Sequence, residues 1–293
     1  MMRKLVAAAL LVASGCGVAA ESGYYYGRLI ASEPLSGLVR ETSGLARTVS
    51  GIWTINDSGD SAAIYQLDGQ TAELKKKLFV DNALNIDWEA MAADSDALYV
   101  ADCGNNRGQR TRFDIYRVAK ADAESTTSGR LVQSSAQRFS FADHQQPASS
   151  KKHGYDCEAM VVVEEQLWVF TKDRKDRNSR VYRLDISKNE QQAEPQELLT
   201  VNGLITGADY DANTGLLALL GYRGSKKASK GFVWLVPVKA GAANWSMARE
   251  VLLDTEGQWE GILWHGSDTL MISTERSSAG EARLAIFKIE KHQ

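Results

Sequence analysis

A short motif recurs five times along this chain, and after each copy an apolar strand pattern, a turn and a second strand follow. The copies are Glu41-Thr42-Ser43-Gly44-Leu45, Asp87-Trp88-Glu89-Ala90-Met91, Asp156-Cys157-Glu158-Ala159-Met160, Ile205-Thr206-Gly207-Ala208-Asp209 and Gln258-Trp259-Glu260-Gly261-Ile262. Their central small residues, Gly44, Ala90, Ala159, Gly207 and Gly261, are spaced by 46, 69, 48 and 54 residues. That is the period of a four-stranded propeller blade.

Each motif opens a first strand. The second strands end in Asn56-Asp57, Asp102, Thr171-Lys172, Tyr222 and Thr274-Glu275. Third strands alternate aromatic and β-branched residues, as in Ile64-Tyr65-Gln66-Leu67 and Val181-Tyr182-Arg183-Leu184, the pattern of half-buried antiparallel strands. Fourth strands are expected at 74–80, 137–141, 197–201 and 250–253, but the fifth copy ends the chain after its third strand. The extended run Tyr24-Tyr25-Tyr26-Gly27-Arg28-Leu29-Ile30 would supply the missing one and remove an exposed edge. The expectation is therefore an all-β chain, with residues 21–293 forming a single five-bladed β-propeller closed by an N-terminal strand in the last blade. The long second step is assigned to two polar connections, 119–135 and 143–155, read as surface loops.

The start of the chain has a different character. Met1-Met2-Arg3-Lys4 precedes an apolar stretch that ends in small residues, so residues 1–20 read as a secretory signal peptide. Cleavage after Val18-Ala19-Ala20 gives ordinary export; Val12-Ala13-Ser14-Gly15-Cys16 alternatively resembles a lipobox, with Cys16 lipidated. Either route leads to the periplasm, a membrane-anchored lipoprotein or secretion. No later stretch is apolar enough to cross a bilayer. The formal charge of −3 falls further once Arg3 and Lys4 leave, which argues against nucleic acid as a partner. A monomer is expected. Cys103 and Cys157 remain as an even pair in an oxidising compartment, and a disulfide between them is favoured over two free thiols.

If the motifs occupy equivalent innermost positions, then Ser43, Glu89, Glu158, Thr206 and Glu260 surround the tunnel at one level. Three converging carboxylates repel one another and lose solvation unless a cation intervenes. An oxygen-only set suits Ca²⁺, and the absence of His or Cys from it disfavours zinc. Such an ion is expected to be structural. The alternative is a polar, water-filled tunnel.

The order Ser-Gly-Leu, Asp-Trp-Glu-Ala-Met, Cys-Glu-Ala-Met, Thr-Gly-Ala-Asp, Trp-Glu-Gly-Ile resembles the SdiA-regulated family of exported bacterial five-bladed propellers across nearly all of the mature chain. Calcium-activated apyrases are more distantly similar, and their central calcium, held by Ser and Glu residues, implies the same role for Ser43, Glu89, Glu158, Thr206 and Glu260. Outside the motifs the sequence departs from apyrases, so nucleotide hydrolysis does not carry over. The SdiA-regulated family implies no established reaction.

A ligand face is expected where the second strands end, at Asp57, Asp102, Asn105, Asn106, Arg107, Lys172, Arg174, Arg223, Glu275 and Arg276. No Gly-x-Ser-x-Gly elbow occurs. His144 and His153 fall in the second polar connection, read as exposed. Two functions fit: a calcium-binding module for a protein, glycan or small ligand, which is preferred, and a metal-dependent hydrolase of phosphate esters or lactones at the tunnel mouth.

Overall fold

The computed structural model describes residues 24–148, 150–225, 228–277 and 280–291. The expected leader and Cys16 lie outside them. The chain begins with β1 (Tyr25–Pro34), and the first repeat gives β2 (Thr42–Thr48), β3 (Gly51–Asn56), β4 (Ala63–Leu67) and β5 (Leu74–Val80). The second gives β6 (Trp88–Ala93), β7 (Ala97–Asp102), β8 (Phe113–Ala119), the helix α1 (Lys120–Ser125), β9 (Leu131–Val132) and β10 (Ser135–Phe141). The third gives β11 (Cys157–Val163), β12 (Gln166–Thr171), β13 (Ser179–Asp185), β14 (Glu190–Ala193) and β15 (Pro195–Leu199). The fourth gives β16 (Leu204–Asp211), β17 (Leu216–Ser225), β18 (Ala228–Lys239), β19 (Ala242–Ala243) and β20 (Arg249–Glu256). The last gives β21 (Trp259–Gly266), β22 (Thr269–Thr274) and β23 (Arg283–Lys291).

Among the described residues these strands form four hydrogen-bonded sheets. Three follow the repeats, in the orders β2-β3-β4-β5-β9, β6-β7-β8-β10-β14 and β11-β12-β13-β15; the fourth runs β16-β17-β18-β20-β1-β23-β22-β21, with β19 on β18. The fold is propeller-like. The motif strands meet in a closed cycle, β2 on β6, β6 on β11, β11 on β16, β16 on β21 and β21 on β2.

The N-terminal strand behaves as expected and does more. β1 pairs antiparallel with β23 from Tyr25 opposite Lys291 to Pro34 opposite Arg283, and its first residues also pair in parallel with β20. Two further parallel latches recur at outer edges, β9 on β5 and β14 on β10. The connection 119–135 therefore differs from the loop expected of it: it contains α1, whose Ala123 is buried, and donates β9 to the preceding sheet. The connection 143–155 is also more than surface. His144 and His153 are both buried, and the His144 ring stacks on Tyr155 at 4.2 Å. Tyr155 in turn lies 6.5 Å from the Phe141 ring of the core, a packing that a polar composition does not reveal.

Apolar residues pack as wedges between successive sheets, with Trp53, Trp88 and Trp168 fully buried. Near the axis the strands converge so closely that side chains no longer fit. A Cβ on Gly44 would stand 2.5 Å from the Met91 amide nitrogen, and one on Gly207 would stand 2.6 Å from the Glu260 carbonyl. Steric convergence at the axis is thus the reason that every motif has Gly or Ala at its centre.

Candidate functional site

One irregularity in the innermost strands positions the site. In all five, pairing slips by one residue at the motif: between Thr42 and Gly44, Trp88 and Ala90, Cys157 and Ala159, Ile205 and Gly207, and Trp259 and Gly261. The skipped residues are Ser43, Glu89, Glu158, Thr206 and Glu260. A bulge of this kind re-aims the extra side chain. Here the five line a common tunnel: Ser43, Glu158, Thr206 and Glu260 face its narrow centre, and Ser43, Glu89, Glu158 and Glu260 also face a mouth of about 220 Å³. All five are buried.

The two hydroxyls hold neighbouring strands together. Ser43 Oγ donates to the Trp88 carbonyl at 2.9 Å and Thr206 Oγ1 to the Trp259 carbonyl at 2.6 Å. Their lone pairs stay available to a cation. Of the three carboxylates, Glu158 is neutralised by the protein itself: Lys172 Nζ lies 2.7 Å from Oε2, and Arg174 Nη2 lies 3.3 Å from Oε1. Arg174 also binds Asp156 at 3.0 Å. Burial opposes the Lys172 charge, but Glu158 and Glu260 hold the ammonium protonated well above its usual range.

Glu89 stands in the opposite situation. No hydrogen bond reaches its carboxylate among the described residues, although it is 5% exposed, and its oxygens approach those of Asp57 and Asp87. Burial, then repulsion from Glu158 and Asp57, pushes Glu89 well above the usual carboxylate range. Asp87 is pushed up to about 6 by burial and by Asp57 and Asp156, and burial likewise raises Asp57. Glu260 rises to about 7, chiefly through burial, with Lys172 drawing it down.

The expected ligand face divides. Asp57, Asn106, Lys172, Arg174 and Glu275 line the mouth. Asp102 and Asn105 are instead buried structural groups: Asp102 pairs with Arg110 at 2.8 Å and accepts from the Asp87 amide, while Asn105 Nδ2 donates to the Arg110 and Tyr155 carbonyls. Arg223 turns outward to bind Glu250 and the Asn202 and Val201 carbonyls. Arg107 is exposed and Arg276 faces Glu281 at 3.7 Å, both away from the lining. The sequence reading overlooked Asp87, Asp156 and Tyr222. The first two were visible as a repeated Asp-x-Glu in the second and third motifs; Tyr222, whose ring lies 5.7 Å from Lys172 Nζ, stands at the second-strand position that Lys172 holds in the third repeat.

Cys103, which follows β7, is bridged to Cys157, the first residue of β11, with a Cα separation of 5.3 Å. The disulfide joins the second and third repeats beside the mouth, between Asp102 and Glu158.

Solved structures with this arrangement are β-propeller-like proteins. A bifunctional GH43-CE protein of Bacteroides eggerthii superposes with a TM-score of 0.50 at 9% identity, covering 87% of this chain and 34% of that one. The catalytic domain of the Coprinopsis cinerea GH62 α-L-arabinofuranosidase gives 0.49 at 10% identity, over 90% and 97%. Kuenenia stuttgartiensis hydrazine synthase gives 0.43 at 12% identity, over 80% and 64%. This chain thus spans about a third of the first protein and just under two thirds of the last. Further matches include a putative 6-phosphogluconolactonase of Bacteroides fragilis and the WD40 repeats of RRP9. No protein-family model matches the sequence, and no curated protein matches it significantly.

Proposed function

We propose that the chain is an exported five-bladed propeller of the SdiA-regulated kind, which binds Ca²⁺ in its tunnel and a protein, glycan or small ligand at the adjoining mouth. The nine-stranded sheet counts as two blades zipped together by β1, which pairs on both sides. Export rests on residues 1–20 and on a disulfide of the kind that persists in oxidising compartments. The observation that carries the reading is the set of five equivalent bulges that turn Ser43, Glu89, Glu158, Thr206 and Glu260 into one tunnel. Oxygen-only ligands of this kind suit a hard cation.

Binding is preferred to catalysis because the two cations of the mouth, Lys172 and Arg174, are already committed to Glu158 and Asp156. The hydrolase reading draws on Lys172 and Arg174, which line the mouth together with Asp57 and would suit a phosphate ester or lactone beside an ion. Thermal unfolding in Ca²⁺ and in chelator tests the common part: Ca²⁺ should raise the melting temperature by mass action on the folded state, and identical melting would remove calcium from the account. A phosphatase and lactonase panel separates the two readings. Calcium-dependent turnover lost in Glu158→Gln would reverse the preference for binding.

A further inference from the structure

The ring of five oxygens is not electrically symmetrical. Around Glu158 the protein supplies its own cations, Lys172 at 2.7 Å and Arg174 at 3.3 Å. A divalent ion on the tunnel axis, bound to Glu158, would have to approach that ammonium in a poorly screened interior. The neighbouring second repeat has the reverse imbalance. Asp57, Asp87 and Glu89 offer oxygens all within 4.8 Å of one another. Two ligands sharing one Ca²⁺ through bonds of ~2.3–2.6 Å stand at most about 4.6–5.2 Å apart.

Three features build this corner. Asn85 Nδ2 donates to the Asn56 and Asp57 carbonyls at 3.1 and 3.0 Å, and its Oδ1 accepts from the Trp88 amide, which locks the end of β3 against the start of β6. Gly104 presses on the carboxylates from outside: a Cβ there would meet Asp87 Cγ at 2.5 Å and Glu89 Cγ at 2.7 Å. Glu89 itself is 5% exposed, receives no hydrogen bond among the described residues, and faces the mouth. Buried carboxylates without partners are costly, and an ion coordinated by them removes that cost.

We propose that the cation seat is this off-axis corner, with Asp57, Asp87 and Glu89 as its carboxylate ligands, while the Lys172 ammonium occupies the Glu158 side of the ring. The inference rests on the calcium reading above and relocates the ion within it. Ca²⁺ takes six to eight oxygens, so ligand positions remain for water on the side that faces the mouth.

The test is calorimetric titration of the full mature chain, disulfide intact, with Ca²⁺ alone. Asp57→Asn and Asp87→Asn should each weaken binding about tenfold or more, because affinity follows ligand charge, while Thr206→Val should leave it within about twofold. Calcium binding that survives both Asp variants but is lost in Thr206→Val would place the ion on the axis and overturn the proposal alone. Wild-type protein that binds no Ca²⁺ would remove the calcium reading as well. Near-ultraviolet circular dichroism of each variant checks its fold. Should Asp87→Asn not fold, the half-exposed Asp57 still provides the discriminating substitution.

Discussion

The two sides of the tunnel mouth use the same motif and arrive at opposite electrostatics. In the third repeat, Asp156 and Glu158 face Lys172 and Arg174, which reach back from the end of β12. In the second repeat, Asp87 and Glu89 occupy the equivalent places, but the residue after β7 is Cys103, which is committed to a disulfide, and the nearest strand end brings Asp57 instead of a cation. One half is an internal salt of the protein. In the other, burial and mutual repulsion raise all three carboxyls although Lys172 draws on Asp57 and Glu89 and Arg110 on Asp87.

The largest effect should follow from breaking the paired half. Lys172→Met leaves Glu158 buried beside Asp156 with Arg174 alone, and removing one member of a buried pair costs about 3–5 kcal/mol. Adding Glu158→Gln should restore most of it, because a neutral amide needs no counter-charge. Denaturant unfolding of the two variants decides the matter: a double variant no more stable than Lys172→Met would show that packing, not charge, dominates at this position. Next in size is the bridge between the halves. Replacing Cys103 and Cys157 by serine opens a loop with a sequence separation of 54 residues. Loop entropy values that closure at about 4 kcal/mol, with measured effects typically about 2–4 kcal/mol. Melting with and without reductant should show the loss in the wild type and none in the double serine variant.

Much of this contrast can be read along the chain. Five copies of the motif with a small residue at the centre announced the strands, the tunnel and the side chains that would face it, because convergence at the axis imposes the same steric demand on every repeat. Fourth strands and the closing strand β1 could be placed for the same reason, since an unpaired edge needs a partner. The latches β9 and β14 could not, being short polar segments whose pairing is set by a neighbouring sheet. Charge partners were equally hidden. Arg223 lies within β17 and turns out to Glu250, while Lys172, just past the end of β12, turns in to Glu158. Residue type at a strand end does not encode that choice; the acid beside it in three dimensions does.

A pH titration sharpens the comparison further. Glu260 rises from the ordinary 4.5 to about 7 in the folded chain, mainly through burial. The folded state then holds this proton more tightly than the unfolded state, so between about pH 4.5 and pH 7 stability should fall as pH rises, and level off above. Without Ca²⁺, Glu260→Gln should flatten part of that decline. An unchanged slope in the variant would mean that Glu260 is ionised throughout. Calcium binding should move in the opposite sense, strengthening as pH rises through about 6 and Asp87 gives up its proton.

The smallest expected effect is also the most diagnostic, since it changes sign. Glu89 is a buried carboxyl without a hydrogen-bond partner among the described residues, and its ionisation is opposed by burial and by Glu158 and Asp57, so in chelator Glu89→Gln should stabilise the chain by about 1 kcal/mol. In saturating Ca²⁺ the same substitution removes a ligand, and the wild type should then be the more stable protein. For Glu158→Gln no such inversion is expected, because its counter-charge is Lys172 under both conditions. Melting temperatures of the two variants in calcium and in chelator separate the halves directly. Parallel shifts would mean that the ring responds to one ion as a unit, and an inversion confined to Glu89 would place the missing charge on the second repeat alone.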